Sequence, residues 1–99
     1  MATMYVAEFA EGSLSAPTVV TAGPHAEQTV AIGGTSAATT NAFKNNTSVV
    51  RIHVDAICSI AFGTAPTATA SLMRLAANQT EYFKVPRGKD YKVAVITNT

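Results

Sequence analysis

The stretch Val49 to Asp55 constrains this chain more than any other: Val50, Ile52 and Val54 alternate with Arg51, His53 and Asp55. A strand throws successive side chains to opposite faces, so a period of two turns the aliphatic residues inward and the polar ones outward. A helix, with its 3.6-residue turn, would scatter both classes around its axis. The alternation returns in Cys58-Ser59-Ile60-Ala61-Phe62, in Tyr82-Phe83-Lys84-Val85, and in Tyr91, Val93 and Val95. Turn chemistry separates these runs. Gly63-Thr64-Ala65-Pro66 ends a strand over Ile57 to Gly63. In Pro86-Arg87-Gly88-Lys89-Asp90 the proline presets φ and the glycine accepts a positive one. Ser71 to Ala76 predicts a further strand, with Arg74 exposed beside Leu72 and Met73. The alanines of Thr67 to Ala77 offer a helical rival, which the threonines and the short length oppose.

Ahead of Val49 the pattern weakens. Met4 to Phe9 predicts a short strand, and residues 1–10 read as an N-terminal arm or an edge strand. Residues 11–48 are weakly patterned and built from Ala, Thr, Gly, Ser and Asn. Pro17, Gly23-Pro24 and Gly33-Gly34 punctuate them as turns. Short strands are predicted over Thr18–Thr21 and Gln28–Ile32, a loop over Thr35–Asn41, and Phe43 as the one large apolar anchor nearby. Residues 49–99 carry the well-patterned strands. The 99 residues suit one domain spanning 1–99. About seven or eight short antiparallel strands with turns between them predict an all-β, single-domain β-sandwich with jelly-roll-like connections. Charged residues are 13% of the chain, about half the usual share, so small polar residues must cover the surface. That composition suits a protein packed against neighbours, and equally an ordinary β-domain with a threonine-rich exterior.

The side chains that do chemistry are sparse. The four lysines and three arginines are scattered from Lys44 to Lys92 and the net charge is +1. No basic face forms, which argues against direct nucleic-acid binding. One cysteine, Cys58, permits no intrachain disulfide; it shares a strand face with Ile60 and Phe62 and reads as a buried structural thiol, matured in a reducing cytoplasm. Two histidines and one cysteine cannot build a zinc site. The six carboxylates (Glu8, Glu11, Glu27, Asp55, Glu81, Asp90) form no calcium loop, and Gly33-Gly34-Thr35-Ser36 is too short for a phosphate loop. His25 has only Glu27 as a charged neighbour. His53 stands between Arg51 and Asp55, which reads either as a base oriented by Asp55 or as a solvated strand face or subunit contact. No catalytic, cofactor-binding or metal-binding residue is assigned, and the chain is expected not to be an enzyme. No stretch has the make-up of a signal peptide or approaches the ~20 apolar residues that span a bilayer, so no membrane role is expected. With no tryptophan among seven aromatics, a stacking platform for single strands or sugars is disfavoured. Tyr82 points out where Phe83 points in, and an exposed tyrosine can anchor an interface.

Three segments taken together resemble a known group. Cys58-Ser59-Ile60-Ala61-Phe62-Gly63-Thr64-Ala65-Pro66-Thr67-Ala68-Thr69, then Leu72-Met73-Arg74-Leu75-Ala76-Ala77, then Glu81-Tyr82-Phe83-Lys84-Val85-Pro86-Arg87-Gly88 are similar to small structural proteins of tailed-bacteriophage virions, over Val49 to Thr97. That resemblance implies a head decoration or cement protein, made in the host cytoplasm and located in the virion. It would bind the major capsid protein across subunit junctions and form a homo-oligomer, a dimer or a trimer. The interface residues expected on this reading are Met4, Tyr5, Val6, Phe9 and Tyr82, the first four because an apolar N-terminal strand can add to a neighbour's sheet. The alternatives are a receptor- or carbohydrate-binding module of a virion fibre, or a tail or connector component.

Overall fold

A computed structural model describes residues 2–10, 12–13, 19–20 and 25–98. In chain order the strands are β1 (Thr3–Phe9), β2 (Gly12–Ser13), β3 (Val19–Val20), β4 (Ala26–Ala31), β5 (Ala37–Ala38), β6 (Val49–Val54), β7 (Cys58–Gly63), β8 (Arg74–Leu75), β9 (Gln79–Lys84) and β10 (Lys92–Thr97). Eight of them form two antiparallel four-stranded sheets, ordered β4-β1-β6-β9 and β5-β10-β7-β8, while β2 and β3 pair with each other. After β4 the chain passes back and forth between the sheets, remaining in one only for β7 and β8. This is the expected all-β sandwich with jelly-roll-like crossovers.

Alternation builds the core as the sequence predicts. Met4 and Val6 of β1, Val30 of β4 and Val50, Ile52 and Val54 of β6 face Cys58 and Ile60 of β7 and Val93 and Val95 of β10. Phe43 closes one end, and Phe62 and Phe83 meet between the sheets with ring centroids 5.1 Å apart at 54°. Such a tilted pair is a favoured aromatic geometry. Gly88 has φ +68° and so occupies the left-handed region that its turn needs.

Several elements depart from the sequence reading. The segment expected as an arm or edge strand is interior: β1 pairs with β4 on one side and β6 on the other, along nearly its whole length. Alternation establishes a strand but not its neighbours, which long-range packing chooses. The loop expected over Thr35–Asn41 contains β5, held by Ala37 and Ala38 against β10. The strand expected over Ser71 to Ala76 shrinks to β8: the Met73 carbonyl still accepts from Ile60 N at 2.9 Å, but the Leu72 and Met73 side chains are exposed and only Leu75 reaches the core. Of the strand expected over Thr18–Thr21, Val19–Val20 is present; Thr18, Thr21 and the turns at Pro17 and Gly23-Pro24 lie outside the described residues.

All four sheet edges are guarded. β5 and β8 are two residues long. On β4, the Gln28 side chain donates to the Asn41 carbonyl and accepts from its N–H, both at 3.0 Å, so it occupies a neighbouring loop as a strand would. On β9, Glu81 shares the inward register of Gln79 and Phe83 and accepts a 2.7 Å bond from Gln79 Nε2. Short edges and inward-turned charge are how sheet proteins discourage edge-to-edge pairing.

Candidate binding face and the buried polar network

The two sheets treat their outer faces differently. Behind the second sheet, register sets three alanines in a row, Ala38–Ala94–Ala61. Side chains this small let another segment lie flat upon them, and the chain after β7 does so. Ala68 N donates to Ser36 Oγ ahead of β5, and the Ala70 carbonyl accepts from Asn98 Nδ2 beyond β10. The same Asn98 amide donates to the buried hydroxyl of Ser59. Strapped down at both ends, residues 64–71 seal this face, and Ala94 and Ala68 are buried beneath and within the strap. The strap ends at Leu72 and Met73, which are 43% and 50% exposed.

Among the described residues, the outer face of the first sheet carries no such strap over its centre. Two rows cross it in register: Thr29–Tyr5–His53–Thr80 and Glu27–Ala7–Arg51–Tyr82. Tyr5 is 45% exposed, with its ring 6.1 Å from that of His53. Ala7, lower than its neighbours, floors an open concavity of about 790 Å³ walled by Tyr5, Glu27, Arg51 and His53. Glu27 and Arg51 stand two strand spacings apart, about 10 Å, and make no hydrogen bond or ion pair among the described residues. Toward one end Phe9 and Val49, paired across β1 and β6 in the outward register, are buried.

In the row Arg51–His53–Asp55, the side-chain hydrogen bonds of His53 and Asp55 go to other residues rather than to each other. His53 Nδ1 bonds Thr80 Oγ1 at 2.7 Å on the adjacent strand, and Asp55 Oδ1 accepts from Thr3 N at 2.6 Å. Of the residues expected at an interface, Met4 and Val6 lie in the core, Phe9 is buried, Tyr82 is half-buried and Tyr5 alone is exposed. Inward register accounts for Met4 and Val6, which the middle position of β1 commits to packing.

Sequence reasoning missed a buried polar network. Glu8 shares the inward register of Met4 and Val6 and is 1% exposed. Its Oε1 accepts from Lys44 N at 2.8 Å and from Thr47 Oγ1 at 2.7 Å. The Thr47 oxygen also lies 2.8 Å from His25 Nε2. Since the only hydroxyl proton of Thr47 goes to Glu8, Nε2 is the donor in that second bond. His25 N meanwhile donates to the Glu8 carbonyl, and its Nε2 stands 4.0 Å from Oε1. The network thus ties the start of β4 and the loop before β6 to β1. Parity alone would have placed Glu8 inside, whereas its partners are distant in sequence and carry no local signal. Thr39 is also buried, and its hydroxyl has no hydrogen-bond partner among the described residues.

Cys58 lies buried in the core, and burial, reinforced by the negative charge of Asp55, pushes its thiol above the ordinary value. Among the described residues no group of three or more His, Cys, Asp or Glu is placed to hold a metal ion, and no helix is long and apolar enough to cross a membrane. No protein-family model, curated protein or solved structure matches the chain.

Proposed function

We propose that this protein is a structural assembly module that works by holding protein surfaces together, and that its specific role is decoration of a tailed-phage head. The observation that supports the first part is the contrast between the faces. The chain lays a strap of its own over one sheet, yet leaves the other displaying Tyr5, Glu27 and Arg51 without polar side-chain partners among the described residues. A protein–protein contact uses such a surface: an aromatic anchor with unspent charged groups around it. Guarded edges direct association to a face rather than to strand addition. The phage-head role rests on the likeness of residues 49–97 to virion proteins. Binding to an assembled shell but not to its free subunits stabilises the shell by mass action, without any chemistry.

The test is binding to purified tailed-phage heads stripped of small accessory proteins, measured by co-sedimentation and by the temperature at which the heads disrupt. Saturable binding with a raised disruption temperature is the expected result. The absence of both, together with retention on a glycan array, would overturn it in favour of a recognition module seated in the Ala7 concavity.

A further inference from the structure

We infer that the open face of the first sheet binds a second copy of the same chain, about a two-fold axis running along β1. The inference rests on reading this face as a protein-binding surface, and it names the occupant. A two-fold interface must be self-complementary, with each residue i that meets j matched by a j that meets i. β1 lies between β4, which bears Glu27, and β6, which bears Arg51; register sets both level with Ala7. Rotation about an axis parallel to β1 and above it carries β4 of one copy over β6 of the other while preserving the level along the strands. Glu27 of each copy then lies over Arg51 of the other, giving two symmetric ion pairs. Tyr5 meets Tyr5 on the axis, and Ala7 faces Ala7, which lets the sheets approach.

No other face-to-face two-fold does this. An axis across the strands places β4 over β4 and β6 over β6, so that neither charge can meet its opposite. Within one copy Glu27 and Arg51 stand about 10 Å apart, backbone to backbone, and make no ion pair with each other among the described residues, so each charge is available to the partner. The shared patch is small. Three strands overlap, since β9 falls beyond the partner's β4; at ~4.8 Å per strand and five residues at ~3.4 Å they give roughly 14 by 17 Å, or about 240 Å² per copy. That is less than half the ~800 Å² per partner of a standard interface. The dimer is therefore weak, forming and dissociating in the micromolar range or above. It leaves the Leu72–Met73 tips of both copies on the outside, since these immediately precede β8 of the second sheet. Such a dimer is bivalent toward a repeating surface, and its weak contacts add through avidity.

The decisive experiment is sedimentation equilibrium over a dilution series, using charge reversals. Wild type is expected to show a concentration-dependent monomer–dimer equilibrium. Arg51→Glu and Glu27→Arg should each weaken it at least tenfold, because each sets like charges against one another twice. Mixing the two variants should restore dimers, since the heterodimer regains both opposite-charge pairs, and the double reversal E27R/R51E should dimerise like wild type. Wild type that stays monomeric at every concentration overturns the inference, as do reversals without effect or a mixture that does not recover. Stripped phage heads separate this failure from that of the broader reading. A monomer whose head binding is lost in R51E keeps the open face as a docking site for the shell and removes only the second copy. A monomer that binds no heads removes both.

Discussion

Two buried threonines should answer the same substitution in opposite ways. Thr47→Val preserves volume and removes the hydroxyl that donates to Glu8 Oε1 and accepts from His25 Nε2. Among the described residues the Glu8 side chain is then left with Lys44 N as its one remaining donor, in a site from which water is nearly excluded. A hydrogen bond to a charged group contributes about 1.5–3 kcal/mol, and the half-buried His25 ring can turn to solvent, so the net loss should be about 2–3 kcal/mol. In a domain of this size each kcal/mol moves the melting temperature by about 4–8 °C, so T47V should melt roughly 8–24 °C lower. Thr39→Val instead deletes a buried hydroxyl that has no partner among the described residues. It should leave stability unchanged or raise it by up to about 1 kcal/mol. Urea titrations followed by far-ultraviolet circular dichroism measure both, at one protein concentration low enough to keep the chain monomeric. If T47V falls within about 0.5 kcal/mol of wild type, or T39V costs more than T47V, the assignment of the Glu8 network as a stabilising element is refuted. Thr47→Ser, which keeps the hydroxyl, should recover most of the loss.

Cys58 titrates higher in the folded state than in the unfolded chain, where a thiol ionises near ~8.5, so the folded state holds the proton more tightly. Stability should hold steady below that pH and decline as the pH rises above it; urea midpoints between about pH 8 and 9.5 should fall more steeply for wild type than for Cys58→Ala, and equal slopes would refute the assignment. Enlarging an alanine distinguishes the sealed face from the open one. Ala94→Leu must displace the strap and should cost about 1–3 kcal/mol, whereas Ala7→Leu projects into the open concavity and should change monomer stability by less than about 0.5 kcal/mol. Comparable losses at the two positions in urea titrations would show that the faces are not differently covered.

Legibility in the sequence followed the range of the physics. β6 was readable because Val50, Ile52 and Val54 carry their own inward signal, and β7 and β10 followed for the same reason. β5 was not, since two alanines contain no period and owe their strand geometry to Val95 and Ala94 across the ladder. Met4 and Val6 were recognised as strand residues but expected at an interface, because nothing within β1 says that β4 and β6 flank it. The charged rows of the open face were half readable. The outward parity of Arg51 follows from its strand, while its level with Glu27 depends on register across β1, which no local pattern specifies. Leu72 and Met73 misled in the opposite direction, since hydrophobic side chains in a short run suggest burial although the strap holds them out of the core.

The interior position of β1 has a consequence for how the molecule is made. The strand is synthesised before its partners, yet one of its two ladders joins it to residues 49–54, and that partner in turn pairs with residues 79–84. During synthesis the first sheet can be no more than the β1–β4 pair until β6 is out, and it is complete only when β9 has arrived. A protein dominated by such distant pairings closes long loops before it gains contacts, which places its folding in the millisecond-to-second range. Until β6 docks, one flank of β1 is an open ladder in which Met4 and Val6 lack cover. Crowded nascent copies are most exposed to exchanging strands in that interval, so slowed translation before residue 49 should be tolerated less well than a pause after residue 84.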